Sequence, residues 1–288
     1  MWQKYLFPTS VDEALQMLYE YRGKARIIAG GTDLVLQIQR GRHQAEVLVD
    51  ITRIPELDGI TEQGDYIYVG ARVTHAQVAA SPLIREKAGV LAEACGSIGG
   101  PQIRNMGTLV GNVVNALPAA DGAVALFALD AEVEVADREG RRWFPIADLY
   151  EGVGRCRVDP CAQMVTALRF HPLADGLAGA FQRLAQRRAL ILPMLNTAVV
   201  VGVQNGKVYE ARIAVGPVAP VPFRARAAEE FLVGRLASEE TITEAARLAA
   251  RDAHPRDSLL RGSSEYRKEM VEVLVRRALI EAVERVRP

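Results

Sequence analysis

Two short stretches of the sequence place glycines beside Thr, Asn or Asp, next to apolar residues. The first glycine segment, residues 26–34, is RIIAGGTDL, and the second glycine segment, residues 107–112, is GTLVGN. Glycine leaves backbone N–H groups uncovered, so that another molecule can press against them. Such groups form a concave site for an anion, and the positive end of a following helix strengthens it. Both segments therefore predict phosphate binding.

Two phosphate sites contributed by different parts of the chain could hold the pyrophosphate of one dinucleotide cofactor between them. The sequence contains neither the G-x-x-x-x-G-K-[ST] pattern of a P-loop nor the G-x-G-x-x-G pattern of a Rossmann fold. The alternative interpretation, in which each segment is only a tight turn, suits one Gly-Gly pair better than two segments with these flanks. The residues expected at the phosphates are Gly30, Gly31, Thr32 and Asp33 in the first segment and Thr108, Gly111 and Asn112 in the second.

Other chemistries find little support in the sequence. The three cysteines are Cys95, Cys156 and Cys161, and this odd, small number argues against a disulfide framework. Two cysteines five residues apart, with no further partners, do not make a zinc or iron–sulfur site. The four histidines are scattered, and none are spaced i, i+4. We therefore predict no metal site and no Ser/His/Asp triad.

The composition is that of a globular protein with two or three domains. The chain has 288 residues and a formal net charge of zero, so a general nucleic-acid surface is not expected. No apolar run reaches the roughly 18 to 20 residues that a membrane span needs. The N-terminal residues lack the basic and apolar blocks of a secretory signal. A cytoplasmic location is therefore the expectation.

The elements around the first glycine segment predict a compact α/β lobe over residues 1–55. TSVDEALQMLYEY is a helix in which Thr9 or Ser10 caps the first turn, and ARIIAG is a strand. GTDLVLQIQRG is a helix that Thr32 and Asp33 open and Gly41 closes, and AEVLVDIT is a second strand. The first glycine segment thus lies between a strand and a helix.

Residues 56–174 form a second, mixed lobe around the second glycine segment. GDYIYVGARVT alternates as a strand does, Thr74 caps a short helix, and SPLIREKAGVLAEAC is one further helix that begins near Pro82. AVALFALDAEVEVAD contains a strand, and REGRR turns back into WFPIADLY. In residues 175–288 strands joined by an Asn205-Gly206 hairpin turn come first and helices follow, which predicts an α+β domain.

Three stretches carry a resemblance to a known family. RIIAGGTDL, PQIRNMGTLVGNVVNALPAAD and RIAVGPVAPVPFRARAAEEFL resemble the FAD-binding medium subunit of molybdenum hydroxylases, the flavoprotein chain of the xanthine dehydrogenase and carbon monoxide dehydrogenase family. The resemblance runs almost from end to end. It implies an α+β fold, in which a two-lobed, p-cresol methylhydroxylase-like FAD-binding domain precedes an α+β C-terminal domain with its sheet before its helices.

The resemblance also assigns FAD contacts residue by residue. Asp121 resembles the family's acidic residue near the adenosine end, where a carboxylate can accept hydrogen bonds from ribose hydroxyls. Ile98, Val165 and Gln182 fall at further family contact positions, although core packing explains these three equally well. Arg104 and Asn105 either orient the loop or touch FAD. The segment contacts are Ile27, Ile28, Ala29, Gly30, Gly31, Thr32, Asp33 and Leu34 in the first segment and Thr108, Leu109, Val110, Gly111 and Asn112 in the second.

Val110 departs from the family pattern, which commonly has two consecutive glycines in this turn. A β-branched residue is strained at positive φ, so residue 110 is expected to have ordinary dihedral angles. On this interpretation only Gly111 needs conformational freedom.

The resemblance implies an electron-transfer subunit with no catalytic acid, base or nucleophile of its own. Substrate oxidation would then occur on a molybdopterin-binding large subunit, and a small subunit would hold two [2Fe–2S] clusters. FAD would pass electrons onward to NAD⁺, a quinone or oxygen. One alternative is a self-sufficient FAD-dependent oxidoreductase that acts on a small substrate, and another is a scaffold subunit that has lost FAD.

Overall fold

The first lobe is built on a small parallel sheet. The computed structural model describes residues 2–187, 189–258 and 261–286. In the first lobe the strands pair in the order β1-β3-β2, and every pairing is parallel. The Oγ of Ser10 accepts a hydrogen bond from the N–H of Glu13, so the predicted capped helix is present. The elements are β1 Lys4–Leu6, α1 Val11–Glu20, β2 Ala25–Ile28, α2 Leu34–Gln39 and β3 Val47–Asp50.

The second lobe carries an antiparallel sheet of five strands in the order β4-β5-β10-β6-β7. The predicted hairpin around REGRR joins β6 to β7. A two-stranded ribbon, β8 with β9, lies beside this sheet. The strands are β4 Ile60–Gln63, β5 Tyr66–Gly70, β6 Glu132–Asp137, β7 Gly140–Pro145, β8 Tyr150–Gly152, β9 Arg155–Cys156 and β10 Met164–Phe170.

The helices of the second lobe differ from the prediction in three places. The single helix expected over residues 81–95 is two helices, because Ala88 has φ −157° and ψ 49°. The block around the second glycine segment, predicted as a turn, forms two short helices, and DGAVALFA forms a further buried helix. In α7 and α8 the burial of apolar residues outweighs the turn preference of glycine, whereas no residue of α6 is buried. The helices are α3 His75–Ala80, α4 Pro82–Lys87, α5 Gly89–Ser97, α6 Pro101–Met106, α7 Leu109–Val114 and α8 Asp121–Ala128.

The C-terminal part has its sheet first and its helices afterwards, as predicted. The sheet order is β11-β12-β13-β14. The predicted hairpin turn is present, and Asn205 and Gly206 have φ of 52° and 74°. The elements are β11 Leu177–Leu184, β12 Leu195–Gln204, β13 Lys207–Gly216, β14 Phe223–Arg224, α9 Arg226–Leu232, α10 Glu239–Arg251 and α11 Ser264–Val286.

Strand β12 is buried on both faces. Ala198 and Val200 point into the core shared with α5 and α8 of the second lobe, whereas Val199 and Val201 point into the core formed with α10 and α11. Alternate residues of a strand face opposite sides, so one strand serves two cores. The C-terminal sheet is therefore a middle layer that joins the FAD-type lobes to the C-terminal helices. Within the three described ranges, no helix is both long and apolar enough to span a membrane.

Candidate cofactor site

The two glycine segments touch each other. A Cβ atom built at Gly30 would overlap the carbonyl oxygen of Met106 and lie 3.0 Å from the Cα of Gly107. A Cβ atom built at Gly107 would lie 3.2 Å from the Oγ1 of Thr32. A side chain at residue 30 would force the first lobe away from the second. Glycine is therefore required at Gly30 because the two backbones approach so closely.

Gly31 needs glycine for a different reason. Its φ is +67°, in the left-handed region that residues with a Cβ rarely occupy. A Cβ atom there would also lie 3.0 Å from the Cδ1 of Ile28 and 3.3 Å from the Cγ2 of Val35. This backbone turn ends β2 and leads directly into α2.

The second glycine segment is the start of helix α7. Thr108 caps this helix, since its Oγ1 accepts a hydrogen bond of 3.0 Å from the N–H of Gly111. Val110 lies inside the helix with ordinary dihedral angles, as the sequence predicts. The prediction that Gly111 needs conformational freedom was wrong, because it too is helical. A Cβ atom at Gly111 would lie 2.9 Å from the Thr108 Oγ1, so close approach to the cap explains this glycine.

Both glycine segments line one cavity of about 750 Å³. This volume lies within the range typical of small-molecule and cofactor sites. Fourteen of the seventeen predicted FAD contacts form part of the cavity wall. They are Ile27, Ile28, Ala29, Gly30, Gly31, Thr32, Asp33, Leu34, Ile98, Thr108, Val110, Gly111, Asn112 and Val165.

Asp121 is not part of the cavity wall, and its predicted ribose contact stays a prediction. Its carboxylate accepts a 2.6 Å hydrogen bond from the Nδ2 of Asn196 and a 3.3 Å hydrogen bond from the Nε of Arg183. Burial raises the pKa of Asp121 to about 6, although Arg183 and Asn196 both oppose this shift. The side chain joins α8 to strands β11 and β12.

Two other predicted contacts also lie away from the cavity wall. The Nε2 of Gln182 donates a hydrogen bond of 2.6 Å to Glu281, which ties β11 to α11. Leu109 is fully buried in the core of the two lobes. Its N–H donates to the carbonyl of Val73, so Leu109 supports the second glycine segment from behind.

Arg104 and Asn105 do not line the cavity either. The Nη1 of Arg104 donates a hydrogen bond of 2.9 Å to the carbonyl oxygen of Ile98. Of the two roles that the sequence left open for Arg104, this geometry favours orientation of the loop.

Several cavity residues have no signal in the sequence. The Nε2 of Gln37 donates a hydrogen bond of 2.8 Å to the Oδ1 of Asn115, and this bond joins α2 of the first lobe to the end of α7 in the second. His75, the first residue of α3, also lines the cavity. Neither residue belongs to a motif, because their placement depends on how the lobes pack.

The cavity carries charges of both signs. The positive groups are Arg26, Arg42 and Arg155, and Asp33 and Glu151 are the negative ones. Burial raises the pKa of Asp33. The balance favours an anionic ligand.

The fold and this cavity, together with the family comparisons, define an FAD-binding oxidoreductase subunit. Residues 2–172 match the family described as the FAD binding domain in molybdopterin dehydrogenase. Residues 180–282 match the CO dehydrogenase flavoprotein C-terminal domain. The chain belongs to the family of FAD-binding medium subunits of molybdenum hydroxylases, and FAD is its cofactor.

Relatives of known type support this assignment along the whole chain. The carbon monoxide dehydrogenase medium chain of Hydrogenophaga pseudoflava is 31% identical over 276 residues, which cover 96% of this chain and 95% of that one. The putative xanthine dehydrogenase FAD-binding subunit of Escherichia coli is 31% identical, covering 95% of this chain and 94% of that one. A solved carbon monoxide dehydrogenase chain from Hydrogenophaga pseudoflava superposes with a TM-score of 0.94 at 32% identity, covering 99% of this chain and 98% of that one.

Proposed function

We propose that this chain holds FAD between its two lobes and carries electrons from the [2Fe–2S] clusters of a small partner subunit to an external acceptor. The observation that carries the proposal is the contact of the two glycine segments at one cavity. A dinucleotide has two adjacent phosphates, and backbone N–H groups from both sides of such a cavity suit both of them.

The residues of this chain bind and orient the cofactor. We propose that the fourteen cavity-lining residues named above contact FAD, with the amides of Gly30 and Gly31 and the start of α7 at the diphosphate. The Oδ1 of Asn112 accepts a hydrogen bond of 3.2 Å from the N–H of Ala123, which fixes the orientation of the Asn112 side chain at the wall. FAD supplies the chemistry when bound, because flavin exchanges electrons one at a time or in pairs.

The proposed partners are a molybdopterin-binding large subunit and a [2Fe–2S] small subunit. The relatives are called medium chains or FAD-binding subunits, which indicates further chains in their complexes. The present sequence has three cysteines, fewer than the four that hold one [2Fe–2S] cluster with cysteine ligands alone. The proposed acceptors are NAD⁺, a quinone or oxygen. We also propose the division into two FAD-binding lobes, 1–55 and 56–174, and a C-terminal domain, 175–288.

Reconstitution of the purified chain tests this proposal. The chain should take up one FAD and show flavin absorbance, and Gly31→Val should lose FAD because residue 31 has positive φ. Gly89→Ala is the matched control, because φ is ordinary there and no atom lies within 4 Å of an added Cβ. Added iron–sulfur subunit, reduced beforehand, should bleach the flavin absorbance.

Two results would contradict the proposal. A chain that rejects added FAD would remove the cofactor site. A flavin-loaded chain that oxidises a small substrate unaided would instead support a self-sufficient oxidoreductase.

A further inference from the structure

His75 is held directly beneath the second glycine segment. Its backbone N–H donates a hydrogen bond of 3.0 Å to the carbonyl oxygen of Gly107, and the N–H of Leu109 donates one of 3.0 Å to the carbonyl oxygen of Val73. Thr74 and Thr108 form an isolated antiparallel bridge between these bonds. Residues 73–75 therefore run alongside residues 107–109 and fix the position of the His75 side chain.

The imidazole ring of His75 lies where the two glycine segments meet. A Cβ atom built at Gly107 would lie 3.4 Å from the Cδ2 of His75 and 3.2 Å from the Oγ1 of Thr32. His75 is only 3% exposed, yet it forms part of the wall of the cavity. The ring is therefore next to both segments and next to the space that they enclose.

One nitrogen of this ring lacks a partner in the part of the protein that the structure describes. Within residues 2–187, 189–258 and 261–286, the buried Nδ1 of His75 has no hydrogen-bond partner. A buried polar atom without a partner reduces stability, and proteins retain few of them unless a bound water, ion or ligand satisfies them. The Nδ1 of His75 is thus a polar atom for which the described protein provides no hydrogen bond.

The surroundings of the ring keep it uncharged. Burial, together with the nearby guanidinium of Arg104, lowers the pKa of His75 to about 4. A neutral imidazole has one N–H donor and one acceptor nitrogen. Arg104 itself donates to the carbonyl oxygen of Ile98 and does not line the cavity.

We propose that His75 is a further cofactor-binding residue, whose imidazole N–H donates a hydrogen bond to a diphosphate oxygen of FAD at the junction of the two glycine segments. This inference rests on the proposed FAD site. It adds a side-chain donor to a site otherwise built from backbone amides, and a donor bound to an anionic oxygen makes a strong hydrogen bond.

Binding measurements on the flavin-free chain test the proposal. We would compare the wild type with His75→Leu, which removes the donor, and His75→Gln, which keeps an N–H donor at a similar reach. The control is His171→Leu, since His171 is exposed and its ring stacks on Tyr66 outside the cavity. The probes are FAD, followed by flavin fluorescence, and ADP, which shares the diphosphate but lacks the flavin.

His75→Leu should raise the Kd of FAD and of ADP by the same factor, about ten- to a hundredfold, because one hydrogen bond to a charged group is lost from both complexes. His75→Gln should recover most of that loss, and His171→Leu should bind like the wild type. Without ligand, His75→Leu should melt at the same temperature as the wild type or higher, because the unpaired polar atom is gone.

Three outcomes would overturn the proposal. Equal Kd values for His75→Leu and the wild type would show that the ring does not meet the cofactor. If His75→Leu bound FAD more weakly but bound ADP as the wild type does, the ring would contact another part of FAD and not the diphosphate. A lower melting temperature in both His75 variants, with equally weak binding, would assign His75 a structural role. Failure of the wild type to bind FAD at all is a separate result, and it would overturn the proposed function as well.

Discussion

His75 and Asp121 are both buried titratable residues, and their environments are opposite. Asp121 makes hydrogen bonds with Arg183 and Asn196 and lies away from the cavity wall. His75 lines the cavity, and its Nδ1 is unpaired in the part of the chain that the structure describes. A satisfied buried group stabilises the fold, whereas an unsatisfied one weakens it unless a ligand binds. Asp121 thus has protein partners, and its predicted ribose contact stays a prediction, whereas His75 has a nitrogen that no described protein group satisfies.

The pH dependence of stability should report the buried imidazole of His75. Its pKa is lowered from 6.5 to about 4, so the unfolded chain takes up a proton in this range and the folded chain does not. The unfolding free energy of the flavin-free chain should therefore fall as the pH drops from 6.5 towards 4, by up to about 3 kcal/mol from this residue.

Urea unfolding of the wild type and His75→Leu across this pH range measures the effect. Asp121 titrates in the same range with the opposite sign, because its raised pKa gives stability that is lost as the pH rises through about 6. The difference between the two proteins isolates His75. Parallel pH profiles would contradict the burial of a neutral ring.

Gly30→Ala should separate the two glycine segments. The new methyl group would overlap the carbonyl oxygen of Met106, and backbone on both sides would have to move. Such overpacking typically costs about 1 to 3 kcal/mol of unfolding free energy, and the FAD Kd should rise with it. Gly89→Ala, where an added Cβ meets nothing within 4 Å, should change both quantities little. Wild-type FAD affinity in Gly30→Ala would show that the close contact does not shape the site.

At the scale of elements, helix α7 shows how a glycine-rich block becomes ordered. Its capping residue, Thr108, satisfies the N–H of Gly111, and Leu109 and Val113 are fully buried. A helix of six residues is too short to form alone, so α7 depends on the cap and on the burial of its apolar side chains together.

Thr108→Ala should remove this cap. Loss of a Ser or Thr cap costs about 1 kcal/mol, and the start of α7 would fray where it faces the cavity. We expect a lower melting temperature and weaker FAD binding, whereas Thr108→Ser keeps the hydroxyl and should resemble the wild type. Fluorescence titration and thermal unfolding measure the two effects. Identical behaviour of the Ala and Ser variants would exclude a role for the cap.

Asp121→Ala decides between the two roles considered for this carboxylate. The structure joins Asp121 to Arg183 across α8 and the C-terminal sheet, so its removal leaves a largely buried guanidinium without its carboxylate partner and should cost about 3 to 5 kcal/mol of unfolding free energy. Asp58→Ala, which removes a partly exposed pair with Arg72, should cost under about 1 kcal/mol. A ribose contact would instead give weaker FAD binding with stability unchanged.

The sequence predicted those elements whose signals are local. The capped helix α1 and the hairpin at Asn205 and Gly206 are both determined by neighbouring residues, and both were predicted correctly. Strand β4 was missed because only Ile60 among its four residues is even partly buried, and its pairing is supplied by β5. Helices α7 and α8 were missed because tertiary burial overrides glycine's preference for turns, and α6 was missed because it has no buried residue that gives an apolar pattern.

The candidate site also combines features with a local signal and features that depend on packing. The glycine segments were predicted because a few adjacent residues are enough to indicate exposed backbone N–H groups. The bond between Gln37 and Asn115 and the position of His75 depend on packing between lobes, which no local pattern encodes. Direct FAD contact by the predicted residues stays a prediction, as do the three domain boundaries.

For the whole molecule, the two-faced strand β12 determines which parts can be stable alone. Ala198 and Val200 cover α5 and α8, so the two lobes lack one wall of their core without the C-terminal sheet. Most of the hydrophobic stabilisation of a domain comes from covering such surface.

A fragment of residues 1–174 should therefore fail to fold as a stable unit. It should bind a hydrophobic dye, elute as aggregates in size-exclusion chromatography and unfold without a cooperative transition, because α5 and α8 would be exposed. The full chain is the control. A monomeric fragment with a sharp unfolding transition and wild-type FAD affinity would show that the C-terminal sheet is dispensable for the lobes.

The shared middle sheet also has a consequence for synthesis in the cell. Both lobes of the cofactor cleft are synthesised before β12. At about 5–20 residues per second, translation of the rest of the chain then takes on the order of ten seconds. During this interval the apolar surface of α5 and α8 is exposed on the nascent chain, where chaperones can bind it. We expect flavin loading to be a late event, after release from the ribosome, and the yield of loaded protein to depend on chaperone supply more than on flavin supply.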